Sequence, residues 1–147
     1  MPWHAECSHK DGDTGRDNGY SACQASLDSF AAQCSSSTAY ADELGDALGQ
    51  FLDAAGISVA GSAHLGLDGR IWTVPYSTTR ALIEQADRPE AEAVFVSCTN
   101  LPTYDLISPL EHTLGKPVLT ANQVTMWAAL KASGIRAVGP GQRLIGR

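Results

Sequence analysis

Ala91-Glu92-Ala93-Val94-Phe95-Val96-Ser97-Cys98-Thr99-Asn100-Leu101 decides the reading of the fold. Val94-Phe95-Val96 is a short β-branched and aromatic run, the composition of a buried strand. It stops at four small polar residues, Ser97 to Asn100, and a helical pattern follows. A strand that delivers Cys98 to its carboxyl end puts a thiol where open α/β sheets bind ligands. Free backbone N–H groups at a helix start just beyond it hold an anion and favour thiolate over thiol. A lone cysteine is more often a small buried hydrophobe. The polar neighbours Ser97, Thr99 and Asn100 argue for chemistry instead, because a structural cysteine more often sits among apolar residues.

Outward from that strand, helical and extended segments alternate. Upstream, Leu44, Ala47, Leu48, Phe51, Leu52 and Ala55 form one stripe of an amphipathic helix, which Gly56 closes. Ile57 to Ala60 reads as a strand running on into a Gly- and His-containing turn over 61–69. Ile71 to Tyr76 contains Pro75 and reads as loop or short extended chain. Thr78 to Ala86 is a second helix, stopped by Asp87-Arg88-Pro89. Downstream, Ser108-Pro109-Leu110-Glu111 has the form of a capping box with proline at the first helical position, leaving 103–107 as a separate or kinked turn. Lys116 to Thr120 is a strand beginning at a proline. Asn122 is placed to cap a last helix whose face is Val124, Trp127, Ala128 and Leu130 and which ends at Gly134. Ile135 to Val138 is a candidate final strand.

This order from Thr38 predicts an α/β fold with a parallel sheet covered on both faces. Such a sheet opens with a strand, and Gln33–Ser37 is a poor one. Residues 1–37 are therefore expected to be a poorly ordered or irregular lead segment. Asp11 to Gly19 is turn-former upon turn-former, and Ser21 to Ala32 is only weakly helical. The α/β domain is expected over 38–134, with 135–147 a basic, glycine-rich tail.

A chain of 147 residues with 44% apolar and 18% charged residues fits one domain with a real core. Net charge is −6 and Lys or Arg never cluster, which argues against nucleic acid and anionic membranes as partners. No apolar run is long enough to span a bilayer, and no secretory leader is recognisable, so a cytoplasmic location is expected. Four cysteines without such a leader do not make a disulfide framework. Cys7, Cys23 and Cys34 with His4 and His9 lack ligand spacing, so no metal site is expected.

V-F-V-S-C-T-N-L over 94–101, L-E-x-x-L-G-K-P-V over 110–118 and N-Q-V-T-M-W over 122–127 carry a resemblance. Together they resemble the C-terminal half of the aspartate/glutamate racemase superfamily, nearest the branch of maleate cis-trans isomerase and arylmalonate decarboxylase. Thr38-Ala39-Tyr40 is similar to that branch's T-P-Y, with alanine for proline. The resemblance implies a flavodoxin-like three-layer αβα domain with a parallel sheet, one of two pseudo-symmetric halves that hold substrate between them. It implies a site without cofactor in which Cys98 moves a proton at a carbon next to a carboxylate, Tyr40 hydrogen-bonds the substrate carboxylate, and Thr99 and Asn100 supply the binding loop. It reaches neither an N-terminal half, nor a role for Cys7, Cys23 or Cys34, nor the asparagine the family tends to place around Asp68-Gly69. A homo-oligomer or a complementing N-terminal half is the partner this implies.

The remaining candidates read blandly. His64 and His112 are expected to be solvated, and Trp72 and Trp127 to be core. Glu111 is explained by capping, so Asp105 and Glu111 are not a catalytic pair. Gly139-Pro140-Gly141 lacks the residues of a phosphate loop. The first reading is a cofactor-independent isomerase or racemase of the maleate cis-trans isomerase kind, acting on a small dicarboxylate and incomplete. A single-cysteine decarboxylase of the arylmalonate decarboxylase kind is the alternative. A non-catalytic flavodoxin-like module that binds a partner is the reading from a different class.

Overall fold

Gln33–Thr38, which reads as a poor strand, is the strand on which the sheet is built. A computed structural model describes residues 31–139 and 141–145, so the expectations for 1–30 lie outside the described residues. The elements run β1 (Gln33–Thr38), α1 (Asp42–Ala54), β2 (Ser58–His64), a 3₁₀ turn (Ile71–Thr73), α2 (Tyr76–Ala86), β3 (Ala93–Val96), α3 (Tyr104–Leu114), β4 (Val118–Thr120) and α4 (Ala121–Ala132). The sheet has the order β2-β1-β3-β4 and every pair is parallel. That is the order of flavodoxin-like doubly wound sheets, with the switch point between β1 and β3.

Position explains why Gln-Cys-Ser-Ser-Ser-Thr makes a strand. β1 has ladder partners on both edges, so its backbone polar groups are satisfied whatever its side chains prefer. Small side chains fit between two helical layers: Ser35, Ser36, Ser37 and Thr38 are all buried. Two of the hydroxyls find partners. Ser35 Oγ accepts from the Arg88 amide at 3.2 Å, and Thr38 Oγ1 donates to the Ser97 carbonyl at 2.9 Å. The boundary placed at 37/38 therefore falls inside the central strand.

β3 divides the core by parity. Val94 and Val96 enter a cluster with Ala63, Ile71, Leu82, Ile83, Ile107 and Leu110, under α2 and α3. Ala93 and Phe95 enter the other, with Cys34, Leu52, Ile57, Leu119, Val124 and Leu144, under α1 and α4. The stripe on α1 is narrower than its periodicity indicates. Leu52 is buried and Leu48 packs against the second cluster, whereas Leu44 and Phe51 are exposed. Trp72, expected in the core, is 65% exposed, while Trp127 packs against the second cluster with Lys131 Nζ 4.5 Å from its ring centre.

β2 runs through Gly61 to His64 instead of turning there. A Cβ at Gly61 would lie 2.6 Å from the Ala86 carbonyl oxygen, so glycine lets the end of α2 close on the strand. His64 is not solvated either. Its side chain is 11% exposed, Nδ1 lies 3.2 Å from Asp42 Oδ1, and the ring fills the space a side chain at Gly45 would take.

Ser108 caps nothing: α3 begins at Tyr104, and Pro109 lies inside it. An internal proline costs about 3 kcal/mol, and the buried Leu106, Ile107 and Leu110 on both sides of it hold the helix continuous. Glu111, freed from capping, is a buried brace. Its carboxylate accepts from the Val118 amide at 3.1 Å and the Arg143 amide at 2.9 Å. Ile135 to Val138 forms no strand, and Val138 is 84% exposed. Beyond it the chain folds back: Leu144 is fully buried, and Gln142 Oε1 accepts from Gln123 Nε2 at 2.6 Å.

Cys34 gives this core a pH signature. Burial, then the nearby Asp53 charge, pushes its thiol up to about 11 from 9.0. The folded chain keeps that proton where the unfolded chain loses it. The stabilisation is complete below pH 9 and disappears as pH rises toward 11, on the order of 1–2 kcal/mol after solvent screening. Urea unfolding between pH 8 and 11 should show this fall in the wild type, and Cys34→Ala should flatten that part of the slope.

Candidate active site at the switch point

The connections after β1 and β3 leave their sheet at neighbouring carboxyl ends and carry the four expected site residues. Cys98 extends the parity of Val94 and Val96, so its thiol lies on the α2–α3 face, with Ala39 and Leu101 in the same cluster. Tyr40 follows β1 by two residues and is half-buried against that cluster. Its hydroxyl lies beside the Cys98 sulfur, within reach of a hydrogen bond to it. That bond, followed by repulsion from the charged sulfur and by burial, raises the Tyr40 phenol above its ordinary value of 10.0. Tyr40 is thus a protonated donor at and above neutral pH.

Thr99 and Asn100 form a turn rather than a helix start, and α3 begins only at Tyr104 after Thr103. Both residues are exposed, and their amides make no hydrogen bond among the described residues. These are two donors beside a sulfur, available to an anion. The thiol itself is not openly presented: Cys98 is 4% exposed, as is Cys34. The two differ in their surroundings, a phenol donor for Cys98 and a carboxylate for Cys34.

Three residues with other or no expected roles complete the site. Asn122 caps nothing, since α4 is capped reciprocally by Thr120 and Gln123. Its Nδ2 donates instead to the Thr99 carbonyl at 2.9 Å, pinning the turn to α4. Thr38 links the Tyr40 and Cys98 connections through its hydroxyl. Ser37 Oγ is buried without a partner among the described residues. Asn122, just past a strand end, and Thr38 both fall in motifs that carry the resemblance, whereas nothing in the sequence marks Ser37. A cavity of about 430 Å³ adjoins the turn, lined by Leu101, Tyr104, Asn122, Met126 and Trp127 among others. Among the described residues no three His, Cys, Asp or Glu side chains converge as metal ligands, and no helix is long and apolar enough to cross a membrane.

A family model described as arylmalonate decarboxylase matches residues 20–145. The chain belongs to the arylmalonate decarboxylase family. It is 28% identical over 102 residues to the arylmalonate decarboxylase of Bordetella bronchiseptica, a match covering 66% of this chain and 42% of that protein. A liganded double mutant of arylmalonate decarboxylase superposes with a TM-score of 0.78 at 27% identity, covering 84% of this chain and 56% of that one. The maleate cis-trans isomerase of Nocardia farcinica, with a covalently bound succinylcysteine intermediate, shares the fold at a TM-score of 0.79 and 22% identity, covering 84% and 53%. The chain thus spans about half the length of the relatives it matches. The expected α/β architecture and the expected arylmalonate decarboxylase branch agree with these findings.

The Tyr40–Cys98 pair can be read spectroscopically. Cys98→Ala removes both the hydrogen bond and the repelling charge, so the Tyr40 phenol should ionise at lower pH, back toward 10.0. Difference titration of phenolate absorbance against Tyr40→Phe isolates this signal. An unmoved Tyr40 titration would mean the two groups do not interact.

Proposed function

We propose that Cys98 is the proton donor in a cofactor-independent decarboxylation of a small dicarboxylate of the arylmalonate class. The observation that carries the reading is a thiol at the switch point of the sheet, with the Tyr40 phenol beside it and the unbonded Thr99 and Asn100 amides on the next turn. In this reading one substrate carboxylate lies against the Thr99 and Asn100 amides. The other leaves as CO₂, and the electrons of the broken C–C bond remain on the α-carbon, delocalised into the retained carboxylate as an enediolate. Oriented donors at the turn offset the growing charge. The Cys98 S–H gives its proton to the α-carbon, Tyr40 steadies the resulting thiolate, and water restores the proton.

Membership of the decarboxylase family and the sufficiency of one thiol favour decarboxylation. The maleate isomerases that share the fold motivate a second reading with the same sulfur. There the Cys98 thiolate adds to the double bond of maleate, rotation follows about the resulting single bond, and the C–S bond breaks to release fumarate. A cytoplasmic location, and a second copy or an N-terminal half that completes the pocket, belong to the same proposal.

Incubation with phenylmalonate in D₂O should give α-deuterated phenylacetate by NMR, and Cys98→Ala should lower that rate at least about a hundredfold. Maleate in its place tests the second reading, with fumarate as product. Thiol labelling gives a readout that needs no turnover. At pH 8 the Cys34 thiol is ionised to only roughly one part in a thousand. Iodoacetamide should label Cys98 ahead of Cys34, and phenylmalonate should protect it. Equal, unprotected labelling of both would overturn the reading.

A further inference from the structure

We infer that Thr38 is the positioning residue that sets Tyr40 onto the Cys98 sulfur. The β1–β3 ladder closes with the Ser37–Val96 pair, and the Ser97 amide donates to the Ser37 carbonyl at 2.8 Å. Past that bond the two connections separate, one toward Tyr40 and the other toward Cys98. One side-chain atom bonds the backbone of both: Thr38 Oγ1 donates to the Ser97 carbonyl at 2.9 Å and accepts from the Tyr40 amide at 3.4 Å. One partner is the residue before the thiol, and the other is the backbone of the residue that carries the phenol.

The surroundings hold that atom still. Thr38 is 2% exposed and pairs with His64 on its β2 side, so its backbone is fixed. Its β-branched side chain has few rotamers. His64 bonds Asp42, the first residue of α1, which fixes the far end of the Tyr40 segment. Between Thr38 and Asp42 the chain has only three residues in which to place the phenol. Losing the hydroxyl leaves the Ser97 carbonyl and the Tyr40 amide without that partner, and both connections can then relax away from one another.

The inference rests on Cys98 being the reactive thiol proposed above, and the test separates the two. Iodoacetamide labelling of Cys98 at pH 8 is measured in the full chain for wild type, Thr38→Val, Thr38→Ser and Tyr40→Phe, and for Tyr40→Phe combined with Thr38→Val. Wild-type labelling of Cys98 no faster than of Cys34 would sink the parent reading. Given faster wild-type labelling, Tyr40→Phe should slow it about fivefold, the worth of one hydrogen bond to the sulfur. Thr38→Val should slow it by a similar factor, Tyr40→Phe should add little in the Val background, and Thr38→Ser should restore both the rate and its sensitivity to Tyr40→Phe. A hydroxyl that only supports the sheet would lower the melting temperature in Thr38→Val and leave the Tyr40→Phe effect intact, which would overturn the inference. Equal slowing by Ser and Val would overturn it too, by pointing to the methyl group. If Thr38→Val does not fold, Thr38→Ala takes its place. Failure of both to fold would make the hydroxyl a strut of the fold and would likewise count against the inference.

Discussion

The hydrogen-bond ladders on both edges of β1 are the constraint on which everything else depends. They turn a run of serines into the middle of a sheet, and a middle strand of small side chains lets two helical layers approach closely. The switch point follows from the same placement. With β2 on one side and β3 on the other, the chain leaves β1 and β3 in divergent directions and opens a crevice at their carboxyl ends. Each functional group stands within a few residues of that crevice because the ladders end there.

In the proposed reaction the crevice divides the labour. Strand parity aims the thiol, the turn at Thr99–Asn100 offers amides to an anion, and the phenol stays protonated beside the sulfur. None of these contributions is large alone. Their value lies in prior orientation: groups held by a packed sheet need not reorganise when charge develops. Asn122 reaching across to the Thr99 carbonyl shows how the last helix joins in without touching the sulfur.

Much of this was legible in the residues, and the failures share one cause. Val94-Phe95-Val96, the α2 helix, the Lys116–Thr120 strand and the placing of Cys98, Tyr40, Thr99 and Asn100 together all follow from local pattern or resemblance. β1 is hidden from local pattern because serine composition argues against a strand, while its ladder partners lie 25 or more residues away. Ser108–Glu111 fits a capping box, yet Glu111 is claimed by amides at Val118 and Arg143. Asn122 fits an N-cap, yet its amide is claimed by the Thr99 carbonyl, 23 residues back in the chain. In each case a distant partner outbid a local one.

The alternation along β3 has an evolutionary consequence. Val94, Val96 and Cys98 share a face because they are two residues apart, so adding or deleting one residue between Val96 and Cys98 would swing the sulfur to the opposite helical layer. Substitutions at Ser97 are compatible with that geometry, but length changes are not. The turn that follows is held as well, by Asn122 on the Thr99 carbonyl and by Leu101 in the core cluster. Homologous chains should therefore keep the count from strand to sulfur the same.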